Sequence, residues 1–441
     1  MHHSHQLLAL DDYFVAPYSG LRATYRDSAG QDRELEWLAL LRVGRFYVDC
    51  GDTLKATPIR REVSDGLTNT LGAQHPLTLV ARTDLGLGLT SEGRYKEAYA
   101  ELKSVADAAN NVLGTNNPEL YRIINSKGIL ELYLGLFSKS AVTIKTAAEG
   151  SLKLSDPSNN QDLTKWMWSA IPLIYLGELD EALPRLESVF KKRREKYGPI
   201  DLANTATQFL IGTVYRRRGN RAESLANLRE ALAVRLRDFP LSNMWSMDPA
   251  IELLVACWDF GATAEAHQLL ADLDSHGQVD CLFNRQCQVT HMRASLQWQA
   301  GRRSSAIDLL QGLVIQTGRD QYNRALLWAT LDLAKMLRRR GAKGDEAQAS
   351  ANFDGVLVDR RLQRTRAADL DEYAAEEPNP PRLLRLAEEA LTLVRGRRFA
   401  EVDELMRREE VGWYREQDLW LWFNASTAAD TTWMRPPVEN L

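Results

Sequence analysis

Gly93-Arg94-Tyr95-Lys96-Glu97-Ala98 recurs 84 residues later as Gly177-Glu178-Leu179-Asp180-Glu181-Ala182, and this pair decides the fold. Halving the interval gives the period. Gly51, Gly93, Gly135, Gly177, Gly219 and Gly261 stand 42 apart, and Gly301 and Gly341 continue the series at 40. A small residue follows five positions after nearly every one of them: Ala56, Ala98, Ser140, Ala182, Ser224, Ala266 and Ala306. Seven positions before stand Gly44, Gly86, Gly128, Ala170, Gly212, Ala294 and Ala334, with Leu254 as the exception. Glycine supplies the positive φ that ends one helix, and small residues at fixed offsets let the next helix approach closely. Apolar residues at helical spacing, such as Leu225, Leu228, Leu232 and Leu236, fill the seam. Each repeat is therefore read as two antiparallel helices joined at the glycine.

A second marker falls between the repeats. Leu71-Gly72-Ala73-Gln74-His75-Pro76 returns as Leu113-Gly114-Thr115-Asn116-Asn117-Pro118, and Gly198-Pro199 stands two periods beyond Gly114. Glycine then proline is a helix stop followed by a restart. The pattern resembles the tetratricopeptide repeat, in its 42-residue kinesin-light-chain type. The family's positions appear as Leu85-Gly86 with Gly93, Tyr95 and Ala98, and as Gly212, Tyr215 and Gly219. Repeats five to seven depart from it, with Leu254 and Cys257 where Gly and Tyr are expected. The resemblance implies a mainly α fold, a right-handed superhelix of about eight repeats. Its concave face would be lined by the first helix of each pair and would bind extended peptides. Projected onto this chain, that groove holds Arg122, Asn125, Met167, Ile171, Phe209, Thr213, Arg216, Arg217, Trp258, His291, Ser295 and Trp298. Packing within the superhelix is the alternative role for each.

Composition bounds the function. The chain has 441 residues, a length that alone suggests roughly three domains. The formal net charge is −4, which gives no general case for a nucleic-acid binder. The longest near-apolar stretch, Ala170 to Leu176, falls far short of the ~20 residues of a membrane span. Four cysteines make no disulfide framework, so a cytoplasmic or nuclear home is expected. Between Lys191 and Pro240 there are 12 Lys or Arg against 5 Asp or Glu. The runs Lys191-Lys192-Arg193-Arg194 and Arg216-Arg217-Arg218 are either a patch for an acidic peptide or a solvated helix face. Cys281, Cys287 and His291 raise a metal question, but structural zinc needs a tighter cysteine pair and a fourth ligand, so no metal is expected. Phosphate loops, nucleophile elbows and His-Glu-x-x-His helices are missing, so neither enzyme nor cofactor is expected.

The end of the chain changes character. Residues 356–381 form a charged linker closing on Glu377-Pro378-Asn379-Pro380-Pro381, and 382–409 read as a helical pair or cap. From Val411 aromatic and Thr density favours three short strands. Trp413, Trp422-Phe423-Asn424 and Thr431-Thr432-Trp433-Met434-Arg435-Pro436 resemble a WW domain over 410–437. The resemblance implies a three-stranded antiparallel sheet with Trp413, Trp422 and Pro436 as its structural buckle. Leu421, Phe423 and Trp433 would form a face for proline-rich ligands. A short first loop and Leu421 in place of a tyrosine depart from that family, and a docked hairpin is the alternative. The organisation expected is an N-terminal arm (1–30), a solenoid (31–355), linker, cap and WW-like module. The function expected is a non-enzymatic scaffold or adapter holding peptides, acidic and proline-rich among them. A sensor arm or cargo adapter working with a separate NTPase is the alternative, and an enzyme with an unrecognised groove site a third.

Overall fold

A computed structural model describes residues 31–49, 53–92, 94–134, 136–155, 159–198, 201–275, 283–316 and 324–352, together with Gly20 and single positions at 389, 392, 398 and 401. The linker, most of the 382–409 segment and the WW-like module lie outside the described residues, as do Gly51, Gly93 and Gly135.

The helices fall in the predicted pairs. They are α1 (Gln31–Asp49) with α2 (Thr53–Leu71), α3 (Pro76–Ser91) with α4 (Tyr95–Val112), and α5 (Pro118–Tyr133) with α6 (Phe137–Leu152). The fourth pair has a broken first helix, α7 (Asn160–Trp168) and α8 (Ile171–Leu176), packed with α9 (Leu179–Tyr197). Then come α10 (Leu202–Arg218) with α11 (Arg221–Asp238), α12 (Met244–Asp259) with α13 (Thr263–Ser275), and α14 (Phe283–Gln299) with α15 (Arg303–Gln316). Finally α16 (Arg324–Arg340) is followed by a helix over 345–352. The break between α7 and α8 has a local cause. Pro172 has no N–H for the Trp168 carbonyl, so the helix restarts with proline in its first turn. The contacts divide the chain into two compact units there. The described helices of one are α1 to α7; the other runs from Leu173 through α16.

Both sets of small residues do what the spacing requires. The seven that follow the repeat glycines are all fully buried. Ser140 also donates to the Gly128 carbonyl at 2.7 Å, tying α6 to α5. At Gly212 the close approach is measurable, because a Cβ there would lie 2.7 Å from Leu228 Cγ. Gly219 has the predicted left-handed conformation, φ +79°, and its N–H returns to the Tyr215 and Arg216 carbonyls. Gly177, Gly261, Gly301 and Gly341 share the positive φ. Leu254 and Cys257, where the repeat pattern fails, are fully buried in α12 all the same. One expectation is corrected. Leu225, Leu228 and Leu232 are buried in the seam, but Leu236 is exposed. Arg235 takes the buried place in the last turn of α11, stacking over Trp245 at 5.1 Å.

The restart signal is more regular than the Gly-Pro pairs suggested. His75, Asn117, Asn159, Asp201 and Asn243 stand 42 apart, and each caps a first helix. Each side chain accepts from the N–H two residues on, at 3.3, 2.9, 2.9, 2.8 and 2.9 Å respectively. Polar side chains satisfy the orphan donors of a helix start, which fixes where these five repeats begin.

Candidate peptide-binding face

The first helices of the pairs carry the candidate residues, and they pack on one another as well as on their partners. That leaves them buried nearly all round, so polar side chains on them must be matched from within. In the unit holding α1 to α7 the centre of that matching is Asp84 on α3. Arg45 Nε of α1 donates to one carboxylate oxygen at 3.0 Å, and Arg122 Nη1 of α5 to the other at 2.7 Å. Arg122 also donates to Glu119 at 2.6 Å and to the carbonyl of Val80, one full period earlier, at 3.3 Å. Burial opposes the charge on Asp84, yet Arg45, Arg122 and Arg60 hold its carboxyl well below the usual carboxylate range. On α7, buried Lys165 donates to Asp162 at 3.1 Å, and Ser151 and Ser155 bond the same carboxylate. Burial lowers the Lys165 ammonium from its ordinary value, with Asp162 opposing.

The second unit repeats the device. Arg216 on α10 is fully buried, and donates to Glu252 and Asp259 of α12 at 2.7 Å each. His291 Nε2 on α14 lies 2.7 Å from Asp332 of α16. Arg193 donates to the Ala203 carbonyl and Thr207 at 2.9 and 2.8 Å, and burial brings its guanidinium down to about 10. Burial does the same to Arg235, which donates to the Leu202 carbonyl at 3.0 Å. Each basic run thus turns one arginine inward, Arg193 in the first and Arg216 in the second. Lys191, Arg194 and Arg218 stay exposed.

The projected groove residues are placed as follows. Met167, Ile171 and Phe209 are buried apolar side chains, and Thr213 is buried with its hydroxyl on the Phe209 carbonyl at 3.1 Å. Arg217 is half-buried, donating to the Ile174 carbonyl at 2.8 Å beside the Tyr175 ring. Ser295 is buried, and Trp258 and Trp298 are half-buried. Arg303 stacks over the Trp298 ring at 5.5 Å. Asn125 is 5% exposed, and its Oδ1 finds no hydrogen-bond partner among the described residues. Gln288, at the register of Arg122 on α14, is 4% exposed with neither amide atom bonded. Sequence reasoning missed Gln288 and the carboxylates Asp84, Glu252 and Asp332. Those three share one register, nine positions before the repeat glycine, which is the signal that would have found them.

Among the described residues no group of three metal-binding side chains occurs, and no helix is long and apolar enough to cross a membrane. Cys287 is buried, His291 is engaged by Asp332, and Cys281 lies outside the described residues.

A tetratricopeptide repeat model matches residues 210–237, the α10–α11 turn and most of both helices. Comparison with curated protein sequences finds no match. Among solved structures, the chain is similar to the apo form of the quorum sensor NprR from B. thuringiensis, at 16% identity over 80% of this chain and 96% of that one, with a TM-score of 0.55. A Rap protein complexed with competence and sporulation factor gives 12% identity over 83% and 99%, TM-score 0.48. The kinesin light chain nearly identical TPR-like repeats of Podosopora anserina give 18% identity over 46% and 95%, TM-score 0.39. The NprR likeness speaks to fold alone. Together with the matched repeat, it identifies stacked tetratricopeptide-type helix pairs as the architecture of this chain.

Proposed function

We propose that the chain is a non-enzymatic scaffold that holds extended peptide segments of partner proteins against the first helices of its repeats. The observation that carries this reading is a contrast that recurs on the first helices of each unit. The central buried charges there are matched internally, Asp84 by two arginines and Arg216 by two carboxylates. Among the described residues, the Asn125 carbonyl and the whole Gln288 amide are left unbonded. A buried unmatched amide costs about 1–3 kcal/mol, which a donor or acceptor recovers once the packing around the amide opens to admit it. Amides of this kind match the N–H and C=O of an extended backbone and ask little of its side chains. The kinesin-light-chain subtype, and acidic segments among the peptides held, are finer parts of the proposal. So is a WW-like module at 410–437, adding a proline-rich contact through Leu421, Phe423 and Trp433. Two tethered sites would raise avidity by effective concentration.

The test is a peptide-display library panned on the full-length chain. The Asn125→Leu/Gln288→Leu variant should lose at least tenfold in affinity for the selected peptides while its thermal midpoint holds or rises. Undiminished binding by that variant would refute the reading. Loss of only the proline-rich clones in Trp433→Ala would support the tail as a second site.

A further inference from the structure

Trp258 and Trp298 occupy one register, three residues before Gly261 and Gly301, on the neighbouring first helices α12 and α14. The same register on α10 is Arg216, whose reach of 2.7 Å to Asp259 shows that residues at this level meet across adjacent first helices. Both tryptophans are half-buried. Asp259 is buried and bonded to Arg216, so it presents no carboxylate at the surface beside Trp258. Arg302 and Arg303 are exposed at the start of α15, and the Arg303 guanidinium lies over the Trp298 ring. A guanidinium held over an indole fixes the orientation of the ring.

We infer that Trp258, Trp298, Arg302 and Arg303 form a docking platform for a partner segment that is extended, acidic and proline-bearing. This deepens the proposed function and rests on it. Proline rings stack flat on indoles and hold the segment in an extended conformation at little entropic cost. Carboxylates one or two residues away would then meet the two arginines, which can grip them bidentately. A basic or neutral segment would gain the stacking and lose the ion pairs.

The probe is a fluorescein-labelled peptide, EEPPLPPEE, titrated into the full chain and followed by anisotropy. Arg303→Glu, a surface change that leaves the core untouched, should weaken binding at least tenfold. Trp298→Ala should do the same, with Trp298→Phe recovering part of the loss. Arg237→Glu, at an exposed position on α11, should leave affinity within twofold. A peptide with Gln for Glu should bind more weakly and lose its salt dependence, because exposed ion pairs are screened. Equal affinity for the Glu and Gln peptides, or wild-type affinity in Arg303→Glu, would overturn the platform. Binding that survives both Arg303→Glu and Trp298→Ala yet falls in Asn125→Leu/Gln288→Leu would also overturn it, while leaving the peptide scaffold standing.

Discussion

Replacing Arg216 by methionine would strand Glu252 and Asp259 inside the second unit. Its guanidinium is the bonded partner of both, and all three side chains are almost completely buried. An uncompensated buried charge costs about 3–5 kcal/mol, so Arg216→Met should lower the denaturant midpoint sharply. Adding Glu252→Gln and Asp259→Asn should restore much of the loss. Gly212 offers an opposite kind of test. Alanine is the better helix former by about 1 kcal/mol, but its Cβ would meet Leu228 Cγ at 2.7 Å. The clash should win, giving net destabilisation of about 1–2 kcal/mol by urea unfolding. This residue was legible in the sequence, because a close helix approach demands a small side chain and a fixed period exposes it. The inward turn of Arg193 and Arg216 was not. A run of basic residues carries no mark of which member faces the core, since the deciding partners lie 10 to 43 positions away.

Elements show the same division. Helix ends were readable because glycine and proline act locally, and the matching caps at His75, Asn117, Asn159, Asp201 and Asn243 were available at the same period. Asn117→Ala should cost about 1 kcal/mol, the usual loss of an N-cap, measurable by thermal melting. Glycine at the same position should cost only a few tenths. The link between first helices was not readable, because it needs the register of one helix against the next. Asp84 carries that link between α1, α3 and α5, and its acidity sets a pH dependence. Its carboxyl titrates below the ordinary range in the folded state. The stabilisation is therefore complete above about pH 5 and drains away as pH falls through 4 and below. In scanning calorimetry from pH 7 to 3, wild type should lose more of its thermal midpoint than Asp84→Asn, which begins lower and titrates less.

For the whole molecule, length alone suggested about three domains, whereas among the described residues the period accounts for eight successive helix pairs, the last completed by the helix over 345–352. Repeat arrays owe their stability to neighbour contacts, and such arrays ordinarily grow and shrink by copying or dropping a unit. Here the ion pairs make that costly. Deleting residues 93–134 would remove Arg122 and leave Asp84 with Arg45 as its one remaining charge partner on a neighbouring first helix. Deleting 219–260 would take away Glu252 and Asp259 and leave Arg216 facing whatever followed. The helices are alike in outline, but their buried charges give particular repeats particular neighbours. Such a chain has an address at each junction, and its repeat number and order are fixed by electrostatics as firmly as by folding. Lineages of this protein should therefore vary their exposed loops freely while keeping the count and sequence of repeats.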